Sequence, residues 1–160
     1  MSVSEQGALP ARNVDRVVFG SGSLTHLPGI VEDRRRQAAD RDGRDLVLYL
    51  VDDYFSSCPG TIGALQIGEN DRLEFVSTVD EPTTDGVDEL VLSITGAGYA
   101  KPATIVGIGG GSTLDTAKAV ANLLANGGMA ATFQGWDLVP GAAVHKIGVP
   151  TISGTGAEAT

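Results

Sequence analysis

Apolar and polar positions follow two periods along this chain, and they trade places several times. Arg16-Val17-Val18-Phe19 reads as a short strand, closed by the turn Gly20-Ser21-Gly22-Ser23. Leu24, Leu27, Ile30 and Val31 then recur at helical spacing, with Pro28 tolerable only inside a first turn. From Glu32 to Asp45 arginines alternate with acids, as on a solvated helix end and loop. Leu46 to Val51 is a continuous apolar run ending in Asp52-Asp53, which fits a parallel strand covered on both faces. A short helix is expected between Tyr54 and Leu65, then a strand through Leu73, Phe75 and Ser77. After Pro82, Val87, Leu90, Val91 and Ile94 mark one helical face, stopped by Gly96 and Gly98. Thr104 to Ile108 is the next strand. Leu114, Ala117, Val120, Ala121 and Leu124 line a helix from Thr113 to about Asn126, with Gly127-Gly128 as its stop. A short strand is expected between His145 and Pro150.

Strand and helix therefore alternate at least three times, the pattern of an α/β fold with an open, mainly parallel sheet and flanking helices. Residues 14–160 are expected to form one domain. Residues 1–13 carry no period and read as a loose tail.

Composition changes this picture in two places. The 22 glycines of the 160-residue chain fall in short clusters beside apolar runs, where they serve turns and ligand loops rather than a linker. The net charge of −9 repels nucleic acid and anionic membrane, so neither is an expected partner. A phosphorylated cofactor is still admissible, because the amides at a helix N-terminus attract phosphate whatever the global charge. Cys58 is the only cysteine, which leaves no disulfide framework and reads as an inert thiol. No apolar stretch approaches the ~20 residues of a membrane span, and a cytoplasmic location is the expectation.

Gly107-Ile108-Gly109-Gly110-Gly111-Ser112 lies between a strand and a helix, where glycines let the backbone approach a pyrophosphate without Cβ clashes. The Ser112-Thr113-Leu114-Asp115 stretch also reads as a capping box, with Ser112 as N-cap and Asp115 reaching back to it. The spacing departs from the usual Rossmann fingerprint, which follows the first strand of its fold and ends in Gly or Ala. A different dinucleotide fold is implied.

Gly109 to Lys118 (GGGSTLDTAK) resembles the GGGSxxDxAK signature of iron-containing alcohol dehydrogenases. Val149 to Thr160 (VPTISGTGAEAT) is similar to that family's second signature, close to PTTAGTGSEVT, with departures at Ile152, Ser153, Ala157 and Ala159. Phe19 to Leu24 resembles the family's opening strand and turn. The related dehydroquinate synthases share the fold, but their glycine loop lacks the Ser112, Asp115, Lys118 pattern.

The resemblance implies an N-terminal NAD(P)-binding domain, with a helical metal domain beyond it that this chain does not include. Asp52, or Asp53 one position on, resembles the acid that bonds the adenosine ribose. A carboxylate there favours NAD, because a 2′-phosphate would meet like charge. Gly110, Gly111 and Ser112 would hold the pyrophosphate. Thr151, Ser153 and Thr155 would line the nicotinamide side, and Asp115 completes the expected cofactor set. Lys118 reads as a solvated cation of the helix. The family's metal ligands, an Asp and three His, lie downstream, so His26 and His145 read as structural. A divalent metal, Fe2+ or Zn2+, is expected only in the full-length enzyme, where it would polarise an alcohol oxygen during hydride transfer. The chain stops within the second signature, so it is expected to be part of a longer enzyme and inactive alone. Phe133 to Asp137, with the SGTGAEAT ending, is similar to the branch acting on 3-deoxy-manno-octulosonate, although Trp136 also fits a loop anchor on the sheet edge. An alcohol or sugar-acid substrate and a homodimer are the expected partners. The competing functions are a dehydroquinate synthase-like lyase and a nucleotide-binding module without catalysis.

Overall fold

The computed structural model describes residues 4–7, 14–42, 44–154 and 156–159. Four parallel strands form its centre: β3 (Val47–Asp52), β4 (Arg72–Val76), β5 (Thr104–Gly109) and β6 (Lys146–Pro150), in the spatial order β4-β3-β5-β6. Helices α1 (Leu27–Asp42), α2 (Pro59–Ala64), α3 (Thr84–Gly96) and α4 (Gly111–Asn126) connect them. The α/β reading of the sequence is borne out.

Every residue from Val47 to Val51 and from Thr104 to Ile108 is buried, as the continuous apolar runs require of strands covered on both sides. The period of two splits those runs between two cores. Leu48, Leu50 and Ile105 pack with Val87 and Ile94 of α3 and with Ala117, Val120 and Ala121 of α4. Val47, Tyr49, Val51, Val106 and Ile108 face the other way, onto Leu27 and Val31 of α1 and onto Leu65. Pro28 stands at the second position of α1, where its missing N–H costs nothing.

A buried carboxylate ties the second core to the start of the sheet. Asp71 accepts hydrogen bonds from the Val47 N–H at 2.8 Å and the Gly68 N–H at 2.7 Å, and Arg35 of α1 reaches it at 2.5 Å. With every donor satisfied the carboxylate is tolerable in the interior; removing one partner leaves the rest uncompensated. The same burial and the nearby Asp71 charge push the Tyr49 phenol up to about 12.

Two expectations need correction. Within the stretch expected as a tail, Ser4–Gly7 forms a strand, β1, antiparallel to β2 (Arg16–Phe19). Strand pairing uses backbone groups and needs no side-chain period, so hydropathy gave no hint of it. Helix α4 begins at Gly111 rather than Thr113, which puts Gly111 and Ser112, the end of the glycine loop, in the helix's first turn.

Candidate functional site

The chain runs from β3 to β4 on one side, then crosses back to lay β5 against the opposite edge of β3. The carboxyl ends of β3 and β5 are therefore the point where the connections diverge. Asp52 ends one strand and Gly109 the other.

These ends fit together closely. A Cβ at Gly109 would stand 2.5 Å from Thr113 Oγ1, 2.7 Å from Thr113 Cβ and 3.0 Å from Asp52 Cβ, so only glycine fits. Gly107 is equally constrained, 2.9 Å from the Ala117 methyl. Gly110 differs. Its φ of −79° and ψ of −172° suit any residue, and a Cβ there would have Ile152 Cδ1 as its nearest described neighbour, at 3.7 Å. No described part of the chain needs glycine at 110; the space beside it is open to a ligand.

Gly110 is also the N-cap of α4, and it has no side chain with which to cap that helix. The expected capping box is thereby corrected: Ser112 sits two residues inside the helix, and Asp115 pairs with Lys118 at 2.7 Å instead of reaching back. Gly110 can take the extended conformation of an N-cap immediately after β5, so the helix starts before Ser112 could cap it. The first intrahelical bond runs from the Leu114 N–H to the Gly110 carbonyl, 3.1 Å. The amides of Gly111, Ser112 and Thr113 precede it and have no turn of helix to bond to. They carry the partial positive charge of the helix terminus.

The Asp52 carboxylate is held from two directions: Oδ1 accepts from the Tyr54 N–H at 3.0 Å and Oδ2 from the Thr78 hydroxyl at 3.2 Å. Asp53, the alternative acid, is exposed and begins the following turn. On the other flank the Thr151 N–H donates to the Gly109 carbonyl at 3.0 Å, which carries β6 up to the glycine loop. Thr151 and Ser153 are exposed there, and Thr155 lies outside the described residues.

Asp52, Gly110, Gly111, Ser112 and Thr151 thus converge on one edge, with Ser153 two residues further along the last segment. Asp115 is one turn down α4. It lines a separate groove of about 520 Å3 between α3 and α4, with Val87, Phe133 and Lys146 among its other walls. The anion-seeking amides lie instead at the carboxyl ends of β3 and β5, and those strand ends are the candidate site. Thr78, Thr113 and Ile152 were missed by the sequence reading. Each joins the site by a long-range contact or a single close approach that no local pattern encodes.

A dinucleotide fits these residues by two tests internal to the structure. Gly110 leaves room beside three helix-terminal amides, and the hydroxyl of Thr113, wholly buried against Gly109, has no hydrogen-bond partner among the described residues. A metal does not fit: no group of three or more His, Cys, Asp or Glu is placed to hold one among the described residues. His145 sits at the opposite end of β5, its Nδ1 2.9 Å from Thr104 Oγ1. Trp136 is 94% exposed, which overturns its reading as an anchor packed on the sheet edge.

The family model for iron-containing alcohol dehydrogenases matches residues 15–160. The chain belongs to that family. Among its curated relatives, a sulfoacetaldehyde reductase of Bilophila wadsworthia is 50% identical over 56 residues, 35% of this chain and 14% of that protein. An NAD-dependent methanol dehydrogenase of Bacillus methanolicus is 45% identical over 56 residues, 35% of this chain and 15% of that one. In structure, the chain resembles the sulfoacetaldehyde reductase of Bifidobacterium kashiwanohense in complex with NAD+, with a TM-score of 0.62 and 23% identity over 89% of this chain. That match spans 35% of the solved chain, so this chain corresponds to about a third of that protein's length. No helix among the described residues is long and apolar enough to cross a membrane.

Proposed function

We propose that this chain is the NAD-binding part of an oxidoreductase that moves hydride between an alcohol or aldehyde and the nicotinamide. The observation that carries the reading is the pairing of a fixed acid, Asp52, with a glycine-started helix at the divergence point of a parallel sheet. Asp52 would accept hydrogen bonds from the adenosine ribose, already aimed by Tyr54 and Thr78. The amides of Gly111, Ser112 and Thr113 would hold the diphosphate beside Gly110. Thr151, Ser153 and Thr155 would border the nicotinamide, which supplies the hydride acceptor when bound. Asp115, paired with Lys118, would support the first turns of α4 rather than touch the cofactor. A divalent metal in the longer enzyme would polarise the alcohol oxygen with ligands from outside this chain, and the 160 residues alone would bind without turnover.

Titration calorimetry on the intact enzyme with NAD and NADP is the test. NAD is expected to bind at least tenfold more tightly, because a 2′-phosphate would meet the Asp52 charge. Asp52→Asn should narrow that preference by about the same factor while leaving the fold intact. No uptake of either cofactor would end the reading. Binding without turnover of any alcohol or aldehyde by the intact enzyme would favour the non-catalytic module.

Substrate class carries a second reading. Trp136 stands free of the fold and can stack on a ring, which favours a sugar acid such as 3-deoxy-manno-octulosonate over a two-carbon aldehyde. Turnover of that acid against short alcohols and aldehydes separates the two. A homodimer, the assembly we propose, is tested by light scattering on the same sample.

A further inference from the structure

We infer that Ile152 is the apolar cover of the diphosphate seat, a binding role for an exposed aliphatic residue beside the glycine loop. The inference rests on the dinucleotide reading above and deepens it. Ile152 is 71% exposed and belongs to neither hydrophobic core. A lone exposed isoleucine is ordinary in itself. Its position is the informative part. The preceding residue is pinned by the Thr151 N–H to the Gly109 carbonyl at 3.0 Å, so the backbone at 152 cannot drift from the glycine loop. From there the side chain reaches inward, and its Cδ1 is the nearest described atom to the place a Gly110 Cβ would occupy, at 3.7 Å.

An aliphatic group beside the N-cap of α4 cannot compete with phosphate for the helix-terminal amides, but it would displace water from one side of the seat. Amide–phosphate hydrogen bonds strengthen as the local dielectric falls. The gain matters more here than in a basic protein, because the chain's net charge of −9 provides no long-range attraction for an anion. A threonine or serine at 152 would bring water with it. The surrounding residues of this segment, Thr151 and Ser153, are polar, so Ile152 is the one that excludes solvent.

The test uses Ile152→Ala and Ile152→Thr in the intact enzyme, with NAD and ADP as calorimetric probes at low and high salt. Both variants should lose about tenfold in affinity, the scale expected when one isoleucine loses its apolar contact. The loss should be equal for NAD and ADP, since both carry the diphosphate. Binding by the variants should also fall more steeply with salt than in the parent, because the amide–phosphate contact is then open to screening. Ligand-free melting temperature should not move, as the side chain supports no core. Unchanged affinity overturns the inference, as does tighter binding, which would make Ile152 an obstruction. A loss confined to NAD also overturns it by placing the contact at the nicotinamide end. Failure of the parent enzyme to bind either probe would instead remove the dinucleotide reading itself.

Discussion

Gly109 and Gly110 are neighbours in one loop, yet the structure asks for them on different grounds. A methyl group at 109 would collide with the rigid, β-branched Thr113 and with Asp52, and neither can retreat without moving α4 or β3. Gly109→Ala should therefore destabilise the fold by about 3 kcal/mol, read as a lowered denaturant midpoint. Gly110→Ala meets only the end of a flexible side chain and should keep the parent's stability, while NAD affinity falls tenfold or more. Equal stability losses in both variants would show that the loop's glycines serve packing alone. The residues carrying this contrast differ in how legible they were. A run of glycines between strand and helix declares itself in the sequence. Thr113 and Thr78 do not, because their meaning lies in atoms 4 and 26 positions away. The capping box misled for a related reason: Ser112 has the right chemistry for an N-cap, but the cap is whichever residue leaves the strand in an extended conformation, and that is Gly110.

At the scale of elements, β5 and β6 are joined at the functional end by the glycine loop and at the other end by His145. Its ring meets the buried Thr104 hydroxyl, and that hydroxyl also lies 3.1 Å from the His145 carbonyl. Burial, reinforced by Arg34 and Lys146 and partly opposed by Asp15, lowers the imidazole from its usual 6.5 to about 4. Between those values the unfolded chain binds the proton and the folded chain does not. Stability from this group is thus complete above about pH 6.5 and drains away as pH falls toward 4. Allowing for its partial exposure, the contribution is roughly 1–2 kcal/mol. His145→Asn places an amide where Nδ1 stood and removes the titration. Melting curves from pH 7.5 to 4 should fall further for the parent than for the variant, the carboxylates being common to both. Parallel curves would mean that the ring protonates as freely in the fold as outside it. The strands these groups clamp were readable from their apolar runs. The clamp itself spans 41 residues and was not.

Across the whole molecule, alternating periods were enough to give a parallel α/β sheet, but they say nothing about which edge each new strand joins. Nothing in Thr104–Gly109 marks it for the far side of β3 rather than beyond β4; the choice depends on α3 returning across the sheet, a tertiary event. The divergence point, and with it the location of the site, follows from that unreadable step. It also makes one unfolding unit of the domain. β3 pairs with both β4 and β5, and its side chains enter both cores, so neither half of the sheet can open while the other stays closed. A ligand bridging Asp52 and the α4 terminus must then raise the stability of the whole. At NAD concentrations near 100 times Kd the gain is about 2.7 kcal/mol, or roughly 5–10 °C in Tm for a domain of this size. Calorimetric scans of the 160-residue chain should show a single transition moving upward by that amount. Two transitions, with only one of them sensitive to NAD, would mean that β3–β4 and β5–β6 fold as separate units and that the ligand rests on one strand end alone.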